Sequence, residues 1–162
     1  MADWYVRNVA DSDWSVNEKF GARTMLVPPG DAQFGTRVHV LEPGKPSTMY
    51  HRETGQEGFL VVEGELLLIV EGEERLLKQW DYFHCAPNVA HSFVGAGGRP
   101  CVMVTLGLRE GSILYERNDV ALSHGAGVEE ETDTPSVAYE PFPKWEEGRP
   151  ESWGELPWNR DS

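Results

Sequence analysis

The sequence has no long apolar run, few basic residues and only two cysteines, and each of these features excludes a class of protein. The longest apolar run, residues 66–70, is five residues long, far short of the ~20 that cross a bilayer as a helix. The first residues show neither the basic nor the apolar stretch of a secretory signal. We therefore expect a cytoplasmic protein that does not enter membranes.

Basic residues are scarce, since 14 Lys and Arg stand against 27 Asp and Glu for a net charge of −13. A chain this acidic repels a phosphate backbone, and no cluster of Lys and Arg offsets the repulsion. Nucleic acid and anionic membrane surfaces are thus excluded as expected partners, which leaves a small-molecule ligand. Cys85 and Cys101 form no C-x-x-C pair, so we expect reduced thiols rather than a disulfide.

Several catalytic signatures are also missing. The sequence contains no G-x-S-x-G elbow, no phosphate-binding G-x-x-x-x-G-K-[ST] loop and no dinucleotide-binding fingerprint after a strand. No internal repeat is visible. Any chemistry must therefore come from another arrangement of side chains.

What the sequence does contain is a series of short β segments separated by Gly, Pro and Asn. They cover residues 23–27, 36–41, 59–62, 65–70, 74–78, 82–85 and 100–108. Strands of this length with turns at this spacing predict an all-β antiparallel sandwich or barrel. In residues 66–70 no polar residue alternates with the apolar ones, so we expect both faces of that strand to be covered. The outer face is expected to lie beneath the C-terminal tail or a second subunit.

The character of the chain changes after residue 109. Asn118 and Gly125 bracket one predicted short helix, and Thr134 followed by Pro135 predicts a second. Beyond them, prolines alternate with large aromatic residues, namely Phe142, Trp145, Trp153 and Trp158. Such side chains are rarely left in water, so we expect an extended arm packed on a barrel, either its own or that of a partner in a homodimer.

A group of His and Glu residues is the strongest chemical signal. His51 and Glu53 share a strand face because side chains alternate with period two. A turn at residues 54–56 brings Glu57 beside them, and His91 begins another strand that approaches from across the barrel. Imidazole and carboxylate are ligands of borderline divalent metals, so this set predicts a metal site.

At these residues the sequence resembles the cupin superfamily. Glu57, six residues and Gly64 match the closing half of its first motif, and Asp81, Pro87 and His91 match its second. The resemblance implies a jelly-roll barrel, the antiparallel double-stranded β-helix, over residues 36–108, with its site in the barrel mouth. Residues 1–35 are then an N-terminal strand extension, and residues 109–162 form short helices and the arm.

The sequence departs from the family pattern at several positions. The first motif usually has two His, and here one alignment places His51 and Glu53 at those positions while the other places Tyr50 and Arg52 there. We predict that Tyr50, Arg52 and His84 line the pocket. In the second motif Trp80 stands where the family has Gly. Asn88 replaces the turn Gly, as its tolerance of the left-handed conformation allows.

The sequence leaves three alternatives for function. In the first, His51, Glu57 and His91, with Glu53 as a further ligand, hold a divalent ion (Zn, Mn, Fe or Ni) that acts on a small polar metabolite. Dioxygenase, isomerase and epimerase chemistry are not distinguished. In the second, a metal-free barrel binds a sugar or organic acid without catalysis, with Arg52 as a carboxylate clamp. The third is a structural role, which the aromatic arm alone favours.

Overall fold

The computed structural model describes residues 4–30 and 32–160, which form twelve strands and two short helices. The strands are β1 (Trp14–Asn17), β2 (Gly21–Met25), β3 (Phe34–Leu41), β4 (His51–Glu53), β5 (Glu57–Glu63), β6 (Glu65–Val70), β7 (Glu73–Lys78), β8 (Tyr82–Cys85), β9 (His91–Ala96), β10 (Cys101–Leu108), β11 (Ile113–Tyr115) and β12 (Glu146–Glu147). The helices are α1 (Asp119–Ser123) and α2 (Pro135–Ala138), followed by 3₁₀ turns at Glu151–Glu155 and Pro157–Asn159.

The strands form two antiparallel sheets that face each other. The large sheet has the order β12-β1-β2-β3-β10-β5-β8, and the small sheet has the order β11-β4-β9-β6-β7. Consecutive strands in the chain often belong to different sheets, because the chain crosses between the sheets as a jelly roll does. The predicted all-β barrel is confirmed, and the N-terminal strands β1 and β2 extend its large sheet.

Alternation along the strands divides the apolar residues between an inner core and two outer layers. On β6, Leu66 and Leu68 belong to the core between the sheets. Leu67 and Ile69 point the other way and pack in a cluster with Ala121 of α1. The prediction that this strand is covered on both faces is confirmed, and the outer cover includes α1. Asn118 caps that helix by accepting a hydrogen bond from the Ala121 nitrogen at 3.0 Å.

The arm packs on the barrel of its own chain. Trp14 of β1 is 3% exposed and lies with its ring centroid 5.4 Å from those of both Trp153 and Trp158. Nearer the barrel mouth, Phe142 and Trp145 pack around Phe20. The predicted homodimer rests on these same arm residues, and it stays a prediction. Within the described residues, no helix is long and apolar enough to cross a membrane.

Two of the departures from the family motif occupy left-handed backbone positions. Asn88 has φ of 66°, as expected for a residue that replaces a turn glycine. Trp80 has φ of 74° although its side chain is 67% exposed and gains little from burial. Its backbone N–H donates to the Val61 carbonyl at 2.8 Å, which holds it in this conformation. The residue stores backbone strain that a glycine does not have.

We expect Trp80→Gly to raise the free energy of unfolding by about 1 kcal/mol relative to Trp80→Ala, since alanine removes the indole but keeps the strained Cβ. Urea unfolding of the two variants measures the difference. A glycine variant no more stable than the alanine variant would contradict the expectation.

Candidate metal centre

Three strand ends bring the predicted metal ligands together in the barrel. His51 begins β4 and pairs across the sheet with His91, the first residue of β9, and their ring centroids are 5.0 Å apart. Glu57 begins β5 on the facing sheet, directly after the turn at residues 54–56. One donor atom from each of the three residues lies within 4.8 Å of the other two. The structure therefore contains a group that can hold a metal ion.

Hydrogen bonds to the backbone orient both imidazoles. His51 Nδ1 lies 2.6 Å from the Met49 carbonyl oxygen, and His91 Nδ1 lies 3.1 Å from that of Val89. A carbonyl only accepts, so the proton of each ring is on Nδ1 and Nε2 is turned toward the site. Such second contacts fix the tautomer and the ring plane of metal-binding histidines.

Both carboxylates of the first segment approach these Nε2 atoms. Glu53 Oε1 lies 3.4 Å from Nε2 of His51, and Glu57 Oε2 lies 3.3 Å from Nε2 of His91. Glu57 Oε2 is nevertheless buried without a hydrogen bond of acceptable geometry. A buried acceptor without a donor is costly, and a cation at this point removes the cost. Two imidazole nitrogens and one carboxylate oxygen are a donor set that suits Zn, Mn, Fe or Ni.

Burial separates the pKa values of these four groups. Desolvation, with the neighbouring Glu53 charge, raises the pKa of Glu57 to about 7. Desolvation, with the His51 charge, lowers the pKa of His91 to about 3, so that His91 is neutral at physiological pH. Burial is the largest influence on His51 and Glu53 too and opposes charge on both, but their contact with each other, together with the Met49 carbonyl and the neighbouring charges, outweighs it. The pKa of His51 is therefore raised and that of Glu53 lowered.

Cys85 also approaches the site, with its Sγ 3.4 Å from His91 Nδ1. Burial, with the nearby Glu57 charge, raises the pKa of this thiol to about 12. The Sγ atom faces Nδ1 of His91 rather than the Nε2 atom that is turned toward the site, and Cys85 does not belong to the group of converging donors. Cys85 and Cys101 are both free and buried.

The three donors line a cavity of about 860 Å³ between the sheets. Its inner wall includes Phe59 and Met103, and Glu53 also lines it. Residues 135–145, from α2 into the arm, form part of the lining beside Tyr115. A small ligand fits in this volume beside the donors. The involvement of the arm in the cavity was not predicted from the sequence.

The three pocket-lining predictions are corrected by the structure, because none of these residues is in the cavity lining. Tyr50 and Arg52 have the opposite strand parity from His51 and Glu53. Tyr50 is 1% exposed in the cluster around α1, and its hydroxyl accepts a hydrogen bond from the Gly72 nitrogen at 3.1 Å. Of the two motif alignments, the one with His51 and Glu53 places both residues on the cavity side, where His51 belongs to the converging group and Glu53 lies beside it.

Arg52 and His84 are occupied or exposed elsewhere. Arg52 makes a two-pronged ion pair with Glu116, with distances of 2.8 and 3.0 Å from its Nε and Nη2 atoms. It is therefore not available as a carboxylate clamp in the cavity. His84 is exposed on β8, the edge strand of the large sheet, since its side chain points away from the core side occupied by Cys85.

Three residues of the cavity wall were missed by the sequence reasoning: Arg23, Arg37 and His39. The sequence does contain a signal for two of them, since the polar residues Arg37 and His39 alternate with the apolar residues Val38 and Val40 in β3. Alternation alone assigns the polar face to solvent. Here the chain covers both faces of the sheet, so the polar residues face an internal cavity.

Comparisons with known proteins agree with this architecture. The family described as "Cupin domain" (Cupin_2) matches residues 37–107. A comparison with curated proteins returned no match. A sugar phosphate isomerase of the cupin superfamily from Silicibacter pomeroyi superposes with a TM-score of 0.60 at 20% identity, over 68% of this chain and 79% of its own.

Two further solved structures show the same likeness. The polyketide cyclase RemF from Streptomyces resistomycificus has a TM-score of 0.58 at 16% identity, over 67% of this chain and 81% of its own. An RmlC-like cupin from Shewanella frigidimarina has a TM-score of 0.57 at 18% identity, over 67% and 93%. At these identities the likeness is one of fold. Residues 37–107 match the cupin domain family, and the chain shares the fold of these cupin structures.

Proposed function

We propose that the protein is a metal-dependent enzyme that binds one divalent ion on His51, Glu57 and His91 and acts on a small polar metabolite in the adjoining cavity. The observation that carries this proposal is the convergence of three donor atoms within 4.8 Å at a cavity of about 860 Å³. A divalent ion at this point supplies Lewis acidity to a carbonyl or hydroxyl oxygen of the ligand.

Glu53 is the residue of this site best placed to move a proton. It lines the cavity next to the donor group, and its side chain is 30% exposed. Its pKa is held below the ordinary value, because desolvation, the largest single influence, is outweighed by the contact with His51 together with the charges of His91 and Arg37. An ionised carboxylate beside the ligand can accept a proton from it, which is the step that isomerases and epimerases need. This placement favours proton transfer within the range of reactions that cupins perform.

Metal content is the first test of the proposal. Protein purified without a nickel column, incubated with Zn, Mn, Fe or Ni and then desalted, should retain close to one equivalent of one of these metals by elemental analysis. If the protein retains less than about a tenth of an equivalent of every metal, the proposal is contradicted.

The variant Glu53→Gln separates the two roles that the position allows. If Glu53 acts as a base, the variant keeps the full metal content and loses solvent deuterium exchange into a panel of small hydroxy-carbonyl compounds. If Glu53 is a metal ligand, the metal affinity falls as well, by about tenfold or more. Glu116→Gln is the matched control, since Glu116 pairs with Arg52 and is absent from the cavity lining. Wild-type exchange in the Glu53 variant would contradict the proton-transfer role.

A further inference from the structure

Two arginines face the cavity that holds the metal-ligand group, and neither has an acidic partner in the part of the chain that the structure describes. Arg23 lies opposite His39 across β2 and β3, and Arg37 lies opposite Met25, so the two arginines occupy diagonal positions on one sheet face. Both line the cavity. Within residues 4–30 and 32–160, neither guanidinium has a carboxylate within ion-pair distance. Guanidinium groups inside a protein normally pair with an anion.

An aromatic residue of the arm holds one of the two guanidiniums in place. The Arg23 guanidinium lies over the Trp145 ring, 3.8 Å from the ring centroid. Stacking occupies the flat face of the group and leaves the N–H donors at its edge free for a ligand. Burial, with the nearby Arg37 charge, lowers the pKa of Arg23 to about 10, so the two positive charges repel each other. Binding an anion between them relieves that repulsion.

His39 adds an unpartnered polar group to the same wall. It is 3% exposed, it lines the cavity, and its Nδ1 atom has no hydrogen-bond partner. Burial, followed by the charges of Arg37 and Arg23, lowers its pKa to about 3, so the ring is neutral. A neutral imidazole offers one donor and one acceptor to a ligand without adding a charge.

The acidic residues of the cavity do not cancel this arrangement. Glu53 and Glu57 feel the charge of Arg37, but neither forms an ion pair with it, and Glu140 and Lys144 of the arm add one charge of each sign. Arg37 on β3 and Glu57 on β5 are separated by β10. Arg37 pairs with Thr105 and Glu57 with Gly107, so two interstrand spacings and an offset of two residues place their backbones about 12 Å apart. Since both side chains extend from the sheet into the same cavity, one small molecule can contact both groups.

We propose that Arg23 and Arg37, with His39 beside them, form a subsite for an anionic oxygen group, a carboxylate or a phosphate, of the metabolite. The inference rests on the proposed function, because it places the other end of the same molecule at His51, Glu57 and His91. The two guanidiniums have the geometry that binds planar or tetrahedral oxyanions through paired N–H donors.

The test measures anion binding by the full-length chain after chelation, so that no metal ion can bind the probe. Inorganic phosphate and malonate are titrated separately by isothermal titration calorimetry. We expect Arg37→Gln and Arg23→Gln each to weaken the better of the two probes by about tenfold or more. Arg75→Gln is the matched control, because Arg75 is exposed and pairs with Glu73 on the outside. The tighter probe identifies the anion as phosphate or carboxylate.

Further arms of the experiment keep the outcomes separate. Arg37→Lys retains the charge, so binding between that of wild type and Arg37→Gln supports the subsite and excludes a loss caused by misfolding. Equal binding by wild type and both glutamine variants overturns the inference, as does no binding of either probe to the wild type. Metal content is measured on the same variants before chelation. If the wild-type protein takes up metal but binds neither anion, the subsite is contradicted and the proposed function is not. If it binds an anion but takes up no metal, the proposed function is contradicted and the subsite is not.

Discussion

Replacing His91 with alanine is expected to weaken binding of a divalent ion at least a hundredfold, which is the largest effect of any substitution at the site. His91 supplies one of the three donor atoms that converge within 4.8 Å. Only His51 and Glu57 remain in the variant, and two donors do not enclose an ion. The measurement is competition for Zn and Mn against a chromophoric chelator near neutral pH, where His91 is neutral and its Nε2 is free to bind.

Two further variants distinguish the loss of a metal ligand from a general loss of stability. His91 is 2% exposed, so the alanine leaves a cavity that lowers stability for reasons unrelated to metal. Glu57→Gln keeps the volume and removes only the carboxylate charge, and it should weaken metal binding by a similar factor. His84→Ala is the matched control, because His84 is exposed on the edge strand β8. Wild-type affinity in both His91→Ala and Glu57→Gln would show that the metal, if bound, lies elsewhere.

The metal-ligand group could be predicted from the sequence because its geometry is largely local. His51 and Glu53 share a face by strand alternation, and Glu57 follows a turn of three residues. Only His91 required a long-range assumption, and the family motif supplied it. The same alternation places Tyr50 on the opposite face, away from the site. That conclusion requires the correct alignment with the first motif, and the sequence was compatible with two alignments.

The remaining parts of the site depend on contacts between residues far apart in the sequence. From the sequence, Arg52 was available to bind a ligand. In the structure it pairs with Glu116, which lies 64 residues further along the chain. The two cavity arginines face inward because the sheet is covered on both sides, which no single strand reveals. The closing of the cavity by residues 135–145 depends on how the arm crosses the barrel. Local periodicity contains no information about any of these arrangements.

Strand positions were predictable for a similar reason. The segments predicted at residues 65–70 and 82–85 are β6 and β8 with the same bounds, because turn residues mark both ends. By contrast, β4 and β11 have three residues each. Strands this short have too few positions for an alternating pattern to show. They are stabilised by their neighbours rather than by their own sequence.

Trp14→Ala is expected to lower the free energy of unfolding by about 3–5 kcal/mol, the largest stability effect among the substitutions considered. The indole is 3% exposed, its Nε1 donates to the Val9 carbonyl at 2.9 Å, and it contacts Trp153 and Trp158 of the arm. Aromatic pairs at these separations contribute beyond the area they bury. Because domains of this size are stable by only about 5–15 kcal/mol, the loss is a large part of the total.

Trp4→Ala is the matched control for this prediction. Trp4 is 75% exposed, so its removal should change the free energy of unfolding by no more than about 0.5 kcal/mol. Urea unfolding followed by far-UV circular dichroism compares the two variants without relying on tryptophan fluorescence. Trp14→Ala should also make the arm more sensitive to limited proteolysis, because Trp153 and Trp158 lose the surface on which they pack. A Trp14 variant as stable and as protease-resistant as the Trp4 variant would show that the arm is not anchored on β1.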